Sequence, residues 1–246
     1  DFMSHLVAGI KSRPEIGSVC GKLKRWDFTR FVEERTAGNS TEEGKTNFID
    51  SVGIRIRTNH RFEDRGQGEV DYGQYASKEE VFGASGAAAL YKRIALESVV
   101  FVNDKGEKEY FDELFFMYKE DIDLAYRLQW AGWKSLYVPE AVGYHDRTAV
   151  SAGNDLFSIV RNRKIKSSQV NAWSFLNQEI LLAKHFQNRK FSSEIRRATR
   201  WYKFKSFVYV LLFEPRLLSQ YKRLSELSEQ IEKRALRMPR RATEKH

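Results

Sequence analysis

The chain changes its repeat near residue 150, and that change limits the folds open to it. Before it, short extended runs alternate with helix-like ones; after it, apolar residues recur at helical intervals. The charge turns at the same place. Residues 1–150 carry 21 Lys+Arg against 25 Asp+Glu, net −4, whereas residues 151–246 carry 21 against 8, net +13. These patterns predict a mixed α/β body over residues 1–150 and a basic, amphipathic helical tail over 151–246. A hydrophobic fraction of 41%, with 13% aromatic residues, suffices for a packed core in 246 residues and excludes a disordered chain.

Cys20 is the one cysteine, which excludes an internal disulfide framework and a cysteine-built zinc site and favours a reducing compartment. Its place in the apolar run IGSVCGKL reads as an inert core thiol. The opening residues lack a basic n-region and a sustained apolar stretch, so they do not read as a signal peptide. The longest apolar run, FVYVLLF at 207–213, is far short of the ~20 residues that span a bilayer. A nucleic-acid role would rest on the basic tail, but no zinc spacing, RNP-like run or helix-turn-helix accompanies it, and the body is acidic. An anionic membrane surface suits the same tail.

Along the body, DFMSHLVAGIKSRPEIG reads as an amphipathic helix with Phe2, Leu6 and Ile10 on one stripe, opening without a cap and closed by Pro14 and Gly17. SVCGKLKRW reads as a buried strand. Residues 33–47 read as a polar surface loop, and FIDSVGIRIRTNHRF as a half-exposed strand with Val52, Ile54 and Ile56 on one side. Residues 63–75, EDRGQGEVDYGQY, form a loop rich in side chains able to bind a sugar or phosphate. The small-residue run from Gly83 to Ala89 lets backbone approach a ligand or a strand closely, but it has neither dinucleotide nor P-loop spacing. KSLYVPEAVGYHD predicts a strand, a turn at Pro139 and a second extended piece ending at His145.

Between these, YKEDIDLAYRLQWAGW places Glu120, Asp121 and Asp123 at the start of a helix whose Leu124, Ala125, Leu128 and Ala131 recur at helical spacing and whose end is marked by Gly132. Acids at a helix N-terminus are ordinary capping, each stabilising by about 0.3–1 kcal/mol. Here they follow the aromatic run FDELFFMY, and a carboxylate at the edge of an apolar wall can serve as a general base. His145 suits either a structural role or a place beside a divalent ion with carboxylate or phosphate oxygens.

The stretch FFMYKEDIDLAYRLQWAGWKSLYVPEAVGYH, with GKLKRWD, IDSVGI, DRGQGEVDYGQY and FGASGAAALYKR, resembles the C-terminal half of the catalytic domain of family 2 glycosyltransferases, nearest to bacterial rhamnosyltransferases of cell-surface polysaccharide synthesis. The resemblance covers roughly residues 1–165. It implies the C-terminal portion of a GT-A, Rossmann-like domain with a mixed sheet. It also implies a nucleotide-sugar donor (dTDP-rhamnose), a glycan or lipid-linked acceptor, and a divalent ion, Mg2+ or Mn2+.

Carried onto these residues, the resemblance makes Asp121 the general base with Glu120 beside it and gives Asp123 no more than a capping role. Arg127 and Trp133 mainly support the helix, with lining of the acceptor side a second role for Trp133, and His145 matches a metal-ligand position. Arg65, Gln67, Ser85 and Gly86 become substrate contacts. In relatives an acidic metal-binding motif lies just upstream of a segment equivalent to DFMSHLV. The resemblance therefore implies that the first strands and the nucleotide pocket lie outside this chain and that the chain as given lacks activity.

The tail segment RRATRWYKFKSFVYVLLF at 196–213 interleaves basic and aromatic residues. It reads equally as a lipid-surface helix or as one packed on its own body or on a second copy in a homo-oligomer. The expected setting is the cytoplasm, peripheral on the inner face of the plasma membrane. The rival readings are a non-catalytic membrane-associated scaffold and a nucleic-acid-binding protein.

Overall fold

Strands β1 (Ile16–Trp26) and β9 (Lys134–His145) run side by side in parallel, with Val19 opposite Leu136 and Cys20 opposite Tyr137. The computed structural model describes residues 1–36, 44–103, 105–146, 167–186 and 191–238. It divides the chain into two compact units built from interleaved segments. One holds Asp1–Arg55, Glu63–Ala95 and the stretch from Trp133; the other holds Ile56–Phe62, Leu96–Gly132 and the helices from Ser168 on. The C-terminal helices thus share a unit with the helix that carries the three acids. The class is mixed α/β with a helical C-terminal region, as the sequence predicts.

In the first unit the sheet order is β2-β1-β9-β5, with β6 (Ala89–Tyr91) beside the first half of β1 and β2 (Lys45–Ser51) beside its second half. Both, and β5 (Glu79–Val81) on β9, are antiparallel to their neighbours. Side chains alternate between the two faces. Val19, Leu136 and Val138 meet Leu6 and Ile10 of α1 (Phe2–Lys11) on one face. Cys20 and Tyr137 meet Ile49, Val52, Val81 and Ala84 on the other. Burial pushes the Cys20 thiol up to about 12, which keeps it inert.

Several local expectations are corrected. Helix α1 has a cap, because the Asp1 carboxylate accepts from Ser4 N–H at 2.8 Å. Residues 33–36 end a helix, α2 (Phe28–Thr36), whose first turn is held by Arg30 N–H donating to Asp27; residues 37–43 of the expected loop lie outside the described residues, and 45–47 begin β2. The strand expected through Val52 is broken: β2 ends at Ser51 and β3 (Ile54–Ile56) restarts after Gly53, whose φ of +100° only glycine adopts easily. From β3 the chain turns back through β4 (Phe62–Asp64). The 63–75 loop is pinned to β2 by backbone bonds from Ile49 to Glu69 O, Gly68 to Ile49 O and Asp71 to Asn47 O.

No turn occurs at Pro139. Strand β9 continues through it, and the register against β1 slips so that Gly21 faces Val138 while Lys22 faces Val142. Proline lacks the N–H of a ladder and is accommodated at such a bulge. The bulge presses on β1: a Cβ on Gly21 would lie 2.2 Å from the carbonyl oxygen of Ala141.

The second unit contains a two-stranded ribbon, β7 (Phe101–Val102) with β8 (Lys108–Glu109), and α4 (Glu120–Trp130). Short α3 (Arg93–Ser98) leads into it. Helices α5 (Ser168–Phe186), α6 (Ser193–Phe213), α7 (Leu218–Glu226) and α8 (Ser228–Arg237) complete it. Phe175, Val210 and Leu217 form one apolar cluster; Phe101, Ala235 and Met238 form another. The helical reading of the tail before residue 167 lies outside the described residues. The aromatic run ahead of α4 is less buried than its composition suggests: Phe115 is inside, but Phe111, Phe116 and Met117 are exposed.

Gly21→Ala is expected to destabilise the chain by about 1–3 kcal/mol, since the backbone of β9 must shift to admit a methyl group. The urea midpoint against the unsubstituted chain measures it.

Candidate functional site

Helix α4 begins from a strained turn. Tyr118 and Lys119 both have φ of 71°, a left-handed conformation that costs a non-glycine residue about 1–3 kcal/mol. Helix α5 holds it there: Asn177 Nδ2 donates to the carbonyls of Met117 (2.7 Å) and Tyr118 (2.8 Å), and Lys119 Nζ donates to the carbonyl of Ser174 at 2.7 Å. Glu120 and Asp121 follow directly, both half-buried. One Asp121 oxygen accepts from Ile122 N–H at 2.8 Å, and Glu120 Oε2 is buried without a hydrogen-bond partner among the described residues.

Asp123 differs from both, and its expected role as a simple cap is corrected. Its side chain is 0% exposed and takes Arg127 Nε at 2.8 Å on one oxygen, with Lys184 Nζ at 2.5 Å and His185 Nε2 at 2.7 Å on the other. Lys184 also pairs with Asp112, which receives Arg234 at 2.8 Å, and Arg234 reaches Glu109 at 2.5 Å. Three carboxylates thus face three cations. Burial alone would raise the pKa of Asp123, but Lys184, Arg127 and the His185 bond hold it well below the usual carboxylate range. Arg127 spends its other donors on the carbonyls of Val99 (2.6 Å) and Tyr110 (2.7 Å), anchoring α4 as the sequence predicts.

His185 is pushed down to about 4, first by burial and then by Lys184 and Arg127, against the opposing pull of Asp123. It is therefore neutral near pH 7, with the Nε2 proton donated to Asp123. His60, stacked near Tyr126 and edge-on to Phe186, is lowered to about 4 by burial.

The first unit holds the other candidates. His145 Nδ1 lies 2.9 Å from Oδ2 of buried Asp50, so the two residues connect β9 and β2 across β1. A carboxylate on one ring nitrogen orients the other toward a ligand, the usual support for a metal-binding histidine. Among the described residues no group of three or more His, Cys, Asp or Glu side chains is placed to hold a metal ion. Around His145, too, no ligand set for a metal is assembled among the described residues.

Arg65 pairs with Glu79 and stacks on Tyr75 at 4.6 Å, while its Nη1 and the Gln67 Nε2 are buried donors without partners among the described residues. Ser85 is buried against Cys20, which its backbone contacts, and Gly86 is exposed. Trp133 packs on Gly17 at the start of β9. At about 3.3 Å per residue, it stands roughly 35–40 Å along the strand from His145. Asp71 ties the same 63–75 loop to β1 through Lys22 (3.0 Å) and Lys24 (2.9 Å). Burial opposes its charge, but the Lys24 and Lys22 bonds win and hold it at about 2.

The candidates divide between the units: Glu120 and Asp121 in the second; Arg65, Gln67, Ser85, Gly86, Trp133 and His145 in the first. Sequence reasoning missed Asp50, Asp71, Asp112, Lys184 and His185. The one local signal was the i, i+4 spacing of Asp123 and Arg127, which marks a helical ion pair. The remaining partners are distant in the chain.

No protein-family model matches the chain. Two curated relatives share a stretch with it: the N-acetylglucosaminyl-diphospho-decaprenol L-rhamnosyltransferases of Mycobacterium tuberculosis strains CDC 1551 / Oshkosh and ATCC 25618 / H37Rv. Each is 42% identical over 79 residues, which is 32% of this chain and 22% of the relative. The matched stretch thus spans about a fifth of the relatives' length, and it supports a relation to glycosyltransferases.

Asp123→Ala is expected to cost about 3–5 kcal/mol in urea unfolding, because it strands buried cations, whereas Asp121→Asn should change stability by no more than about 0.5 kcal/mol. Acid should act in two windows. Between pH 6.5 and about 4 the unfolded chain protonates histidines that the fold keeps neutral, so stability present above pH 6.5 declines and the melting temperature falls. The stability contributed by ionised Asp71 is lost lower, as pH drops from 3.8 through about 2.

Proposed function

We propose that the chain forms part of an inverting family 2 glycosyltransferase that moves rhamnose from dTDP-rhamnose to a glycan or lipid-linked acceptor in cell-envelope polysaccharide synthesis, at the inner face of the plasma membrane. The observation that carries the reading is the division of labour on α4. Asp123 is locked in a buried ion network, while Asp121 and Glu120 remain half-exposed at a clamped, strained turn. The 42% identical stretch gives independent support, since the matched relatives are named for rhamnosyl transfer to a decaprenol-linked N-acetylglucosamine.

In this reading Asp121 takes the proton of the acceptor hydroxyl as its oxygen attacks the anomeric carbon. The new glycosidic C–O bond forms on the face opposite the departing nucleoside diphosphate, which leaves with the electron pair of the broken C–O bond. Glu120 holds the acceptor. Within the first unit, the unpartnered donors of Arg65 and Gln67 offer hydrogen bonds to sugar or phosphate oxygens, and Ser85 and Gly86 are further candidate contacts. His145, oriented by Asp50, would be the protein ligand of Mg2+ or Mn2+. Such an ion, when bound, neutralises charge on the leaving diphosphate.

The test is rhamnose transfer from dTDP-rhamnose to an N-acetylglucosaminyl-diphospho-polyprenol by the complete gene product that contains this chain. Asp121→Asn should lower kcat by about 10²–10⁴-fold with an unchanged melting temperature. Undiminished activity in that variant would place the base elsewhere, and no transfer from any nucleotide sugar would overturn the reaction class.

A further inference from the structure

Helix α6 is buried along one side only. Thr199 and Val210 face inward, whereas Trp201, Phe204, Phe207, Leu211 and Leu212 are between 44% and 66% exposed. At 100° per residue these five fall within an arc of about 140° on the opposite side. Lys203 and Lys205 flank the arc, one on each edge, and Arg197 and Arg200 prolong it toward the N-terminus; all four are exposed. Lys205 lies over the Trp201 ring at 5.6 Å, and Lys203 reaches Glu179 at 3.4 Å. Glu194, in the first turn, is the helix's one acidic residue. An exposed face of such large apolar side chains marks an interaction surface.

We infer that this face of α6 lies in the surface of an anionic lipid bilayer, with the aromatic and leucine side chains in the headgroup–acyl boundary and Lys205, Arg197 and Arg200 on lipid phosphates. The charge distribution selects this occupant. A two-fold interface with a second copy would set the same cations against each other, since such interfaces are built from one patch meeting itself. Anionic lipid complements them, and each basic residue near the surface contributes about 1 kcal/mol. Nucleic acid would leave the apolar centre of the face in water. No described helix is long and apolar enough to cross a membrane, so α6 would lie in the plane of the interface.

The test uses the full chain and vesicles of phosphatidylcholine with or without phosphatidylglycerol, read by co-sedimentation. Expected are binding to the phosphatidylglycerol vesicles, release by high salt, and about tenfold or greater weakening in Trp201→Ser/Phe204→Ser, whose exposed positions leave the melting temperature unchanged. Arg200→Glu/Lys205→Glu should weaken it similarly while keeping the aromatic residues.

The inference is overturned if the folded chain ignores phosphatidylglycerol vesicles or if both variants bind as the parent does. It is equally overturned if the parent is retained on duplex DNA instead of vesicles, or if sedimentation equilibrium shows a dimer that the aromatic variant dissociates. No sugar transfer is measured, so the result is independent of the proposed function.

Discussion

The carboxylate of Asp123 is the hinge of its unit. It receives Arg127 from its own helix and Lys184 and His185 from α5, while Lys184 and Arg234 continue the chain of charges through Asp112 to Glu109. A balanced buried network of this kind gains little over a well-packed apolar core, but it tolerates no single deletion, so it selects one arrangement of its helices. Arg127 extends that selection to the backbone by capturing two carbonyls. The placement of Glu120 and Asp121 at the head of α4 follows from where this network holds the helix.

The first unit relies on a different constraint, the parallel pairing of β1 with β9. Parallel neighbours need a long crossover, and here the intervening chain supplies the flanking strands β2, β5 and β6 and runs through the other unit before returning. The bulge at Pro139 shifts the second half of β9 along β1, bringing His145 opposite Arg25, where Asp50 of β2 reaches its ring. Loop 63–75 is fixed to β1 by Asp71 and its two lysines.

Period and punctuation made much of the fold legible: the α1 stripe, the buried strand around Cys20 and the whole of α4 with its terminal glycine follow from patterns a few residues long. The α/β class and the helical C-terminal region were readable on the same grounds. What escaped depends on partners far along the chain. Pro139 suggests a turn to any local reading, and only β1 beside it turns the segment into a bulged strand. Asp123 resembles a cap until α5 arrives with Lys184 and His185. The polar stretch after Arg30 mixes helix formers with turn formers, and the capping oxygen of Asp27 carries the helix as far as Thr36.

The left-handed pair Tyr118–Lys119 has a consequence for the order of events in synthesis. Neither residue favours that backbone conformation, and the groups that impose it, Ser174 and Asn177, lie 55 to 60 residues downstream. A ribosome adding roughly 5–20 residues per second reaches them about 3–12 s after the acids of α4. Until then the chain lacks the hydrogen bonds from α5 that hold this turn in the folded protein. The nascent chain therefore makes its acid pair well before α5, the helix that holds the turn beneath it.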